Sequence, residues 1–286
     1  MKIKILLTLL ISSVIVSFSN AQYSKIIRSI NSSRSTRSVE YFNGIKEHAK
    51  QLIQAGETAD TIVIPGGDAN AGLMEATING DTIAAGGGRI NVNRVYKLQK
   101  NTIYTQFAGI NIINPTGTLI MVGEKGGTKP VIVLTGVNGV DPGMNLVQGS
   151  IKLDNLHIQN QFTNDNGFNN NCFVGSTNSA KLPQSVNVNN CLFEFIQLDT
   201  FSCDAYIGGA KFKFTNCYFR NLFNNNQWWG GRIWYCKQAI DTVWVENCTV
   251  TGGGLIFLGQ NSLVKFAYYN HNSIINSNKY WQLCPY

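Results

Sequence analysis

The chain has 286 residues, of which 28 are Gly and only 14% are charged, and its formal net charge is +7. Asn is also abundant, with 34 residues. This composition is typical of a turn-rich β protein and argues against a predominantly helical chain.

Residues 1–21 have the features of a secretory signal peptide. Lys2 and Lys4 precede an apolar run over residues 5–16, and residues 19–21 supply a small-residue cleavage site. The run is too short for a stable membrane span. We therefore predict a secreted, periplasmic or cell-surface protein without a transmembrane segment, whose net charge falls to +5 when the two lysines are removed.

Two segments of different character follow. Residues 22–38 are rich in Ser and Arg, which predicts a flexible leader. A nucleic-acid partner is not expected, because this basic segment is short and the protein is exported. In residues 39–56 side chains recur at three- and four-residue steps, which predicts an amphipathic helix; they are Phe42, Ile45, His48 with Ala49, Leu52 and Ile53.

Short apolar or alternating runs begin at Thr61 and continue to residue 135. They are separated by Gly, Pro and Asn, which predicts strands and turns. The expected strands are Thr61–Ile64, Arg94–Leu98, Thr102–Thr105, Ile110–Ile113, Thr118–Gly123 and Val131–Leu134.

One phrase then recurs through the second half of the chain. It alternates apolar and polar residues up to an Asn, and a Cys and a second apolar alternation follow that Asn. The copies are Val186–Phe193, Phe212–Phe219 and Val243–Val250, preceded by a fainter copy at Ile151–Ile158 and followed by one marked by His271. The alternation indicates half-buried strands, and its change of phase at Asn predicts a corner, because Asn tolerates left-handed backbone.

The marker Asn residues are 35, 26 and 31 positions apart, and short strands repeating at such a period predict a β-solenoid. We therefore predict an all-β fold, a right-handed parallel β-helix over residues 57–286. Because solenoids cover their terminal coils, we expect residues 39–56 to form a short N-terminal capping α-helix. The alternative is an antiparallel sandwich with Asn in its turns, which does not explain a fixed phrase.

In such a coil, equivalent residues stack about 4.8 Å apart. The marker Asn residues should form a ladder, with their amides bonded along the axis; they are Asn155, Asn190, Asn216 and Asn247. Cys191, Cys217 and Cys248 should stack inside the coil. An exported chain invites a disulfide interpretation, but stacked positions are wider apart than the Cβ atoms of a disulfide, which favours free thiols. No zinc motif is present, and His157 should face outward.

A Gly- and Asn-rich insertion after the second clear copy carries the predicted substrate-binding residues. Flat aromatic rings can bury the apolar C–H faces of sugars, and the alternative is that these rings pack over the sheet. The binding candidates are Trp228, Trp229, Arg232, Trp234 and Tyr235.

The repeated phrase resembles those of the pectate-lyase-like superfamily of right-handed β-helix proteins, over roughly residues 60–286. Val243–Cys248 is similar to the V-W-I-D-H-C stretch of pectate lyases, with Glu246 in place of the Asp and Asn247 in place of the His. The resemblance implies work on acidic polysaccharides. For a lyase it also implies Ca²⁺ held by Asp or Glu, with Arg or Lys as the base. The paired Asp-Asp and the His-Gly of the polygalacturonase branch are absent from this sequence.

β-Elimination beside a uronate needs a cation to neutralise the carboxylate and a base to take the adjacent proton. The catalytic candidates are Arg220, Arg232, Lys237 and Glu246, and carboxylates that could hold Ca²⁺ are Asp199, Asp204 and Glu246. We expect a protein that binds an acidic polysaccharide and, as a lyase, cleaves it. The alternative is a non-catalytic surface or adhesin-type solenoid.

The end of the chain keeps strand character. Residues 264–286 still read as strand and corner, with apolar residues such as Val264, Phe266 and Ile274. Because natural proteins cover open sheet edges, we expect either a further C-terminal domain beyond residue 286 or a partner that covers the last coil.

Overall fold

The structure is a computed structural model. It describes residues 39–55, 60–81, 90–135, 143–160, 162–164, 167–168, 174–175, 185–196, 199–203, 210–222, 231–236, 240–252, 257–259 and 264–275. The chain divides into two units, residues 1–44 and 45–286. In the first unit the described residues are the opening turns of a helix, and the second unit contains all the described strands.

Two α-helices precede most of the strands: α1 (Val39–Ala55) and α2 (Leu73–Gly80). The prediction of an N-terminal helix before the solenoid is confirmed, and its residues Ile45 and Ala49, four positions apart, are buried. Helix α2 was not predicted. It buries Leu73, Met74 and Ile78 and contacts the first strands that surround it.

Most of the remaining described residues form β-strands. They are β1 (Thr61–Ile64), β2 (Val95–Leu98), β3 (Ile103–Gln106), β4 (Ile110–Gly123), β5 (Val131–Leu134), β6 (Met144–Asp154), β7 (His157–Asn160), β8 (Phe162–Asn164), β9 (Gly167–Phe168), β10 (Val174–Gly175), β11 (Ser185–Asn189), β12 (Leu192–Glu194), β13 (Asp199–Cys203), β14 (Ala210–Thr215), β15 (Tyr218–Arg220), β16 (Arg232–Cys236), β17 (Ile240–Glu246), β18 (Thr249–Thr251), β19 (Phe257–Gly259), β20 (Val264–Asn270) and β21 (Ser273–Ile275).

The strands stack coil upon coil in two sheets. A 7-stranded sheet runs β21-β18-β15-β12-β7-β5-β3. A 12-stranded sheet has two wings that share the long strands β4 and β6. The first wing continues from β6 through β10, β13, β16 and β19, and the second wing through β11, β14, β17 and β20. Apart from the small antiparallel pair β8-β9, all described pairings are parallel, which contradicts the sandwich and makes the fold a parallel β-solenoid.

The register confirms that the copies of the phrase are equivalent. Ile151 pairs with Val186, Val186 with Phe212, and Phe212 with Val243, and all four side chains are buried. On the 7-stranded sheet the rings of Phe193 and Phe219 stack with centroids 5.2 Å apart. Large apolar side chains at the same position in each coil therefore build one continuous core.

Each phrase turns at a residue in left-handed conformation, as predicted. Asn155, Asn190, Asn216 and Asn247 have φ between 50° and 57°, and His271 has φ 51°. Asn is favoured there because its short polar side chain reduces the cost of left-handed backbone. His271 is thereby confirmed as the marker of a further copy.

The predicted ladder of amides is only partly present. Asn190 Nδ2 donates to Asn155 Oδ1 at 3.1 Å, but Asn216 Nδ2 donates to Asn189 Oδ1 at 2.9 Å. The Lys129 ammonium donates to Asn190 Oδ1 at 2.7 Å. The amide of Asn216 therefore bonds to Asn189 and not to the marker Asn190, whose Oδ1 accepts a hydrogen bond from Lys129.

The cysteine of the phrase is a free, buried residue in Cys191, Cys217 and Cys248, as favoured from the spacing. Each thiol donates to the carbonyl oxygen two residues earlier, at 3.2 to 3.3 Å. Burial raises the pKa of the Cys191 thiol to about 12, so this thiol is protonated and unreactive at neutral pH. Cys thus fills the inner side of the corner and satisfies a backbone acceptor.

Candidate functional site

Part of the predicted site lies outside the described residues. This applies to Trp228, Trp229, Lys237 and Asp204. Trp234 and Tyr235 lie in strand β16 of the first wing. Their roles in substrate binding stay predictions.

The other candidates lie in three different strands of the described chain. Arg220 is in β15 on the 7-stranded sheet, Arg232 in β16 on the first wing, and Glu246 in β17 on the second wing. Arg220 forms an ion pair with Glu194, and Arg232 is buried. The catalytic roles of these three residues stay predictions.

An outward row on the second wing was not predicted as a site. It consists of one residue from each of five successive coils, paired strand to strand in register: Lys152, Asn187, Lys213, Trp244 and Tyr268. In β14 the row member Lys213 lies between buried Phe212 and Phe214, so the strand alternation turns it outward. We call these five residues the outer row; neighbouring members are about 4.8 Å apart along the axis.

The aromatic end of the outer row is held in place by its neighbours. The ring centroids of Trp244 and Tyr268 are 4.7 Å apart, with the planes at 34°. The Lys213 ammonium is 5.4 Å from the centroid of the Trp244 ring. Trp244 Nε1 donates to Glu246 Oε2 at 3.0 Å. These contacts restrain the indole while one side of Tyr268 stays in solvent, since Tyr268 is 46% exposed.

One side of the outer row is flanked by basic and aromatic residues, while the outward row on its other side includes Asp154 and Glu246. Lys152 and Lys213 are exposed. In the next outward row, exposed Phe266 is 45% accessible, with the Lys265 ammonium 5.3 Å from its ring centroid. Lys211 is also exposed, at 3.8 Å from Asp241. The second wing therefore presents aromatic rings and lysines in two neighbouring outward rows.

A signal for the outer row exists in the sequence. Its members occupy the second position of each copy of the phrase, as in Phe212-Lys213-Phe214 and Val243-Trp244-Val245. Comparing this position across copies shows Lys, Asn, Lys and Trp in succession. The sequence placed substrate binding in the insertion, because three Trp residues cluster there, and that stays a prediction.

The described residues do not provide the calcium site that a lyase of this kind would use. Within the described ranges, no three His, Cys, Asp or Glu side chains come together as metal ligands. Glu246 accepts the indole hydrogen bond of Trp244. Calcium therefore stays an implication of the resemblance.

The fold and the outer row together define a parallel β-solenoid with an aromatic and cationic strip on one face. Comparisons with protein-family models, with curated proteins and with solved structures find no match for this chain. Of the two helices within the described ranges, neither has the length and apolar character of a membrane span.

Proposed function

We propose that this protein is an exported β-solenoid that binds an acidic polysaccharide along the outer row. The observation that carries the proposal is the line formed by Lys213, Trp244 and Tyr268, in which a cation and two neighbouring aromatic rings lie in register on the outward face. The chemistry of this line suits a chain of anionic sugars.

The aromatic end would supply the apolar contact. Trp and Tyr offer large, rigid surfaces and lose little conformational entropy on binding. The Trp244 ring is already restrained by Glu246 and Lys213, so ordering it further costs little.

The lysines would supply the selectivity for charge. Lys152 and Lys213 are exposed members of the outer row, and the mature chain has a net charge of +5. A positive surface attracts polyanions and accelerates their association. The resemblance of the phrase to pectate-lyase-like proteins supports the same ligand class, as an analogy of fold.

The experiment compares two tyrosines on different sheets. Tyr268→Ala and Trp244→Ala should each weaken binding to an anionic glycan such as polygalacturonate by about ten- to thirty-fold, as expected for central aromatic contacts. Tyr218→Ala is the matched control, because Tyr218 is 36% exposed on the 7-stranded sheet. It should bind as the wild type does in isothermal titration.

A neutral glycan of similar size completes the design. Lys213→Gln should weaken binding of the charged polymer and leave any binding of the neutral one unchanged. Equal affinities for the wild type and the folded Trp244→Ala and Tyr268→Ala variants would contradict the proposal. Binding without cleavage would favour the alternative, a non-catalytic surface or adhesin-type solenoid.

A further inference from the structure

The far edge of the last described coil is open. Strands β20 and β21 form this coil, and within the described ranges each of them pairs with a strand on one side only. All but one of their side chains are exposed, including Tyr269 and Ile274, whose register partners in the preceding coil are buried. Strand β20 reads Val-Lys-Phe-Ala-Tyr-Tyr-Asn, without Pro or Gly and with a single charge. A strand of this composition is a template on which a further strand can pair.

The hydrogen bonds of the coil show which backbone groups of β20 lie on its open edge. Asn247 N donates to Asn270 O at 3.0 Å, so the carbonyl of Asn270 points toward the preceding coil. The N–H and C=O groups of successive residues in a strand point to opposite sides. The backbone groups of Tyr269 and Ala267 therefore point away from β17. Ala267 is also the middle residue of β20.

A second copy of the same strand fits this edge. When two β20 strands pair antiparallel about a two-fold axis at Ala267, the N–H of each Ala267 meets the C=O of the other. The same register places Phe266 of each copy opposite Tyr268 of the other on the outward face, and such aromatic cross-strand pairs stabilise a sheet. Lys265 lies opposite Tyr269, so the two lysines are not brought together.

This pairing also extends the outer row. In one copy the outer row ends at Tyr268, and the antiparallel register continues it with Phe266 of the second copy. Both side chains are exposed, Phe266 by 45% and Tyr268 by 46%. The rings of Trp244, Tyr268 and the second copy's Phe266 then form one line, and the two-fold axis repeats that line in the opposite direction.

We propose that the open edge of β20 is a self-association surface. Through it two copies form an antiparallel dimer with Ala267 at the two-fold axis, and Phe266 of each copy completes the outer row of the other. Only this last point, the shared aromatic line, rests on the proposed function. An isologous contact closes at two copies, because each copy uses the same surface.

The test measures the mass of residues 22–286 by sedimentation velocity in the absence of any glycan. The wild type should pass from monomer to dimer as its concentration rises. Ala267→Pro should raise the dissociation constant of the dimer about 100-fold, because proline removes the N–H at the axis. It leaves the pairing with β17 in place, since that N–H points away from β17. Urea unfolding at low concentration checks that the variant is folded.

A charge at the edge gives a second variant, which also serves if Ala267→Pro does not fold. Tyr269→Lys places a cation opposite Lys265 of the other copy and should weaken the dimer, because like charges directly opposite each other destabilise a strand pair. Val63→Lys is the matched control. Val63 is an apolar strand residue that is 47% exposed in β1, so this variant should associate as the wild type does.

A cross-link tests the register. In a hydrogen-bonded antiparallel pair the two Cα atoms are about 5.5 Å apart, which a disulfide can span. Under mild oxidation Ala267→Cys should form a covalent dimer that a reductant returns to monomer, at a level above that of the wild type. Val63→Cys is the control for this variant and should stay at the wild-type level.

Any of four results would overturn the proposal. They are a monomer at every concentration, a series of masses above the dimer, wild-type association of the folded Ala267→Pro or Tyr269→Lys variant, and no more cross-linking in Ala267→Cys than in Val63→Cys. Failure here leaves the proposed function intact, because Trp244→Ala tests glycan binding and should not change the mass. A dimer that binds no glycan would refute the proposed function and leave the self-association surface standing.

Discussion

The two ends of the described solenoid satisfy their polar groups in different ways. Between residues 60 and 135 the structure uses individual buried charges and helix α2. From residue 143 onward it also buries the charged side chains of Glu194 and Arg232, but it adds a neutral corner of Asn and Cys that recurs in successive coils. In a repeated coil the backbone N–H and C=O groups of each strand bond to the strand of the next coil. The first coil has no preceding coil, so other side chains and connecting segments bond to its backbone groups.

The edge of the first coil is covered by the connecting segment that precedes helix α2. Gly67 N donates to Ile103 O and Gly72 N donates to Thr105 O, so the connection before α2 covers the edge of strand β3. Under it, Arg94 Nη1 donates to Asp81 Oδ1 at 3.2 Å and the Tyr96 hydroxyl to Asp81 Oδ2 at 2.5 Å. These three side chains are buried, so the carboxylate of Asp81 and the guanidinium of Arg94 face each other away from water.

In the last described coil, side chains at inward positions are exposed. Val245 is 3% exposed, but Tyr269, its register partner in β20, is 38% exposed. Val250 is 3% exposed, and its partner Ile274 in β21 is 37% exposed. The same inward position is therefore buried only when a neighbouring coil covers it. The predicted cover for this end, a further domain or a partner, stays a prediction.

The largest effect is expected at the buried ion pair of the first coils. Arg94→Met should lower the free energy of unfolding by about 3–5 kcal/mol, because it leaves the Asp81 carboxylate buried without its cation. Lys97→Met is the control. It removes an exposed pair with Glu124 at 3.9 Å, which should cost less than about 1 kcal/mol. Urea unfolding of both variants checks this, and equal losses would show that Asp81 and Arg94 contribute no more than a surface pair.

A smaller effect is expected from pH at Glu75 in helix α2. This side chain is 5% exposed, and its Oε1 accepts from Phe107 N at 2.8 Å. Burial raises the pKa of Glu75 to about 7. The folded state therefore favours the neutral acid. Its contribution to stability is complete below the unfolded pKa near 4.5 and is lost as pH rises through 7.

The Glu75→Gln variant isolates this contribution. Between pH 4.5 and pH 8 the wild type should lose about 3 kcal/mol of stability relative to the variant. Denaturant unfolding of both proteins across this range is the measurement. A constant difference between them would mean that Glu75 is not the titrating group.

The solenoid could be predicted because the sequence of each coil repeats the same short pattern of apolar residues, Asn and Cys. A change of phase at Asn190 and again at Asn216 requires no knowledge of distant contacts, and the expected strands up to residue 135 all appear within one residue or within a longer strand. Helix α2 could not be predicted in this way. Its eight residues include Thr77, Asn79 and Gly80, which have low helix propensity, and burial against neighbouring strands sets its conformation.

The candidate site was harder to predict, since a strand pattern does not reveal which sheet a strand joins. Arg220, Arg232 and Glu246 are close in sequence, yet one lies in the 7-stranded sheet and the other two in different wings of the 12-stranded sheet. The contact of His157 with Glu194 crosses 37 residues and depends on the length of the intervening connection. The outer row is different, because its members share one position of the phrase and could have been found by aligning the copies. The right-handed sense of the coil stays a prediction, supported by the rule for parallel crossovers.

The smallest effects are expected at the repeated corner, where two contributions can be separated. Asn190 combines left-handed backbone with an amide that donates to Asn155 Oδ1 and accepts from Lys129. Asn190→Gly keeps the backbone preference and loses the amide, which should cost about 1 kcal/mol. Asn190→Ala loses both and should cost about 2 kcal/mol, because left-handed backbone is strained for alanine. Asn187→Ala, at an exposed strand position, should change stability by less than about 0.5 kcal/mol. If Gly proves as costly as Ala in thermal and urea unfolding, the amide contacts and not the left-handed corner explain why Asn recurs there.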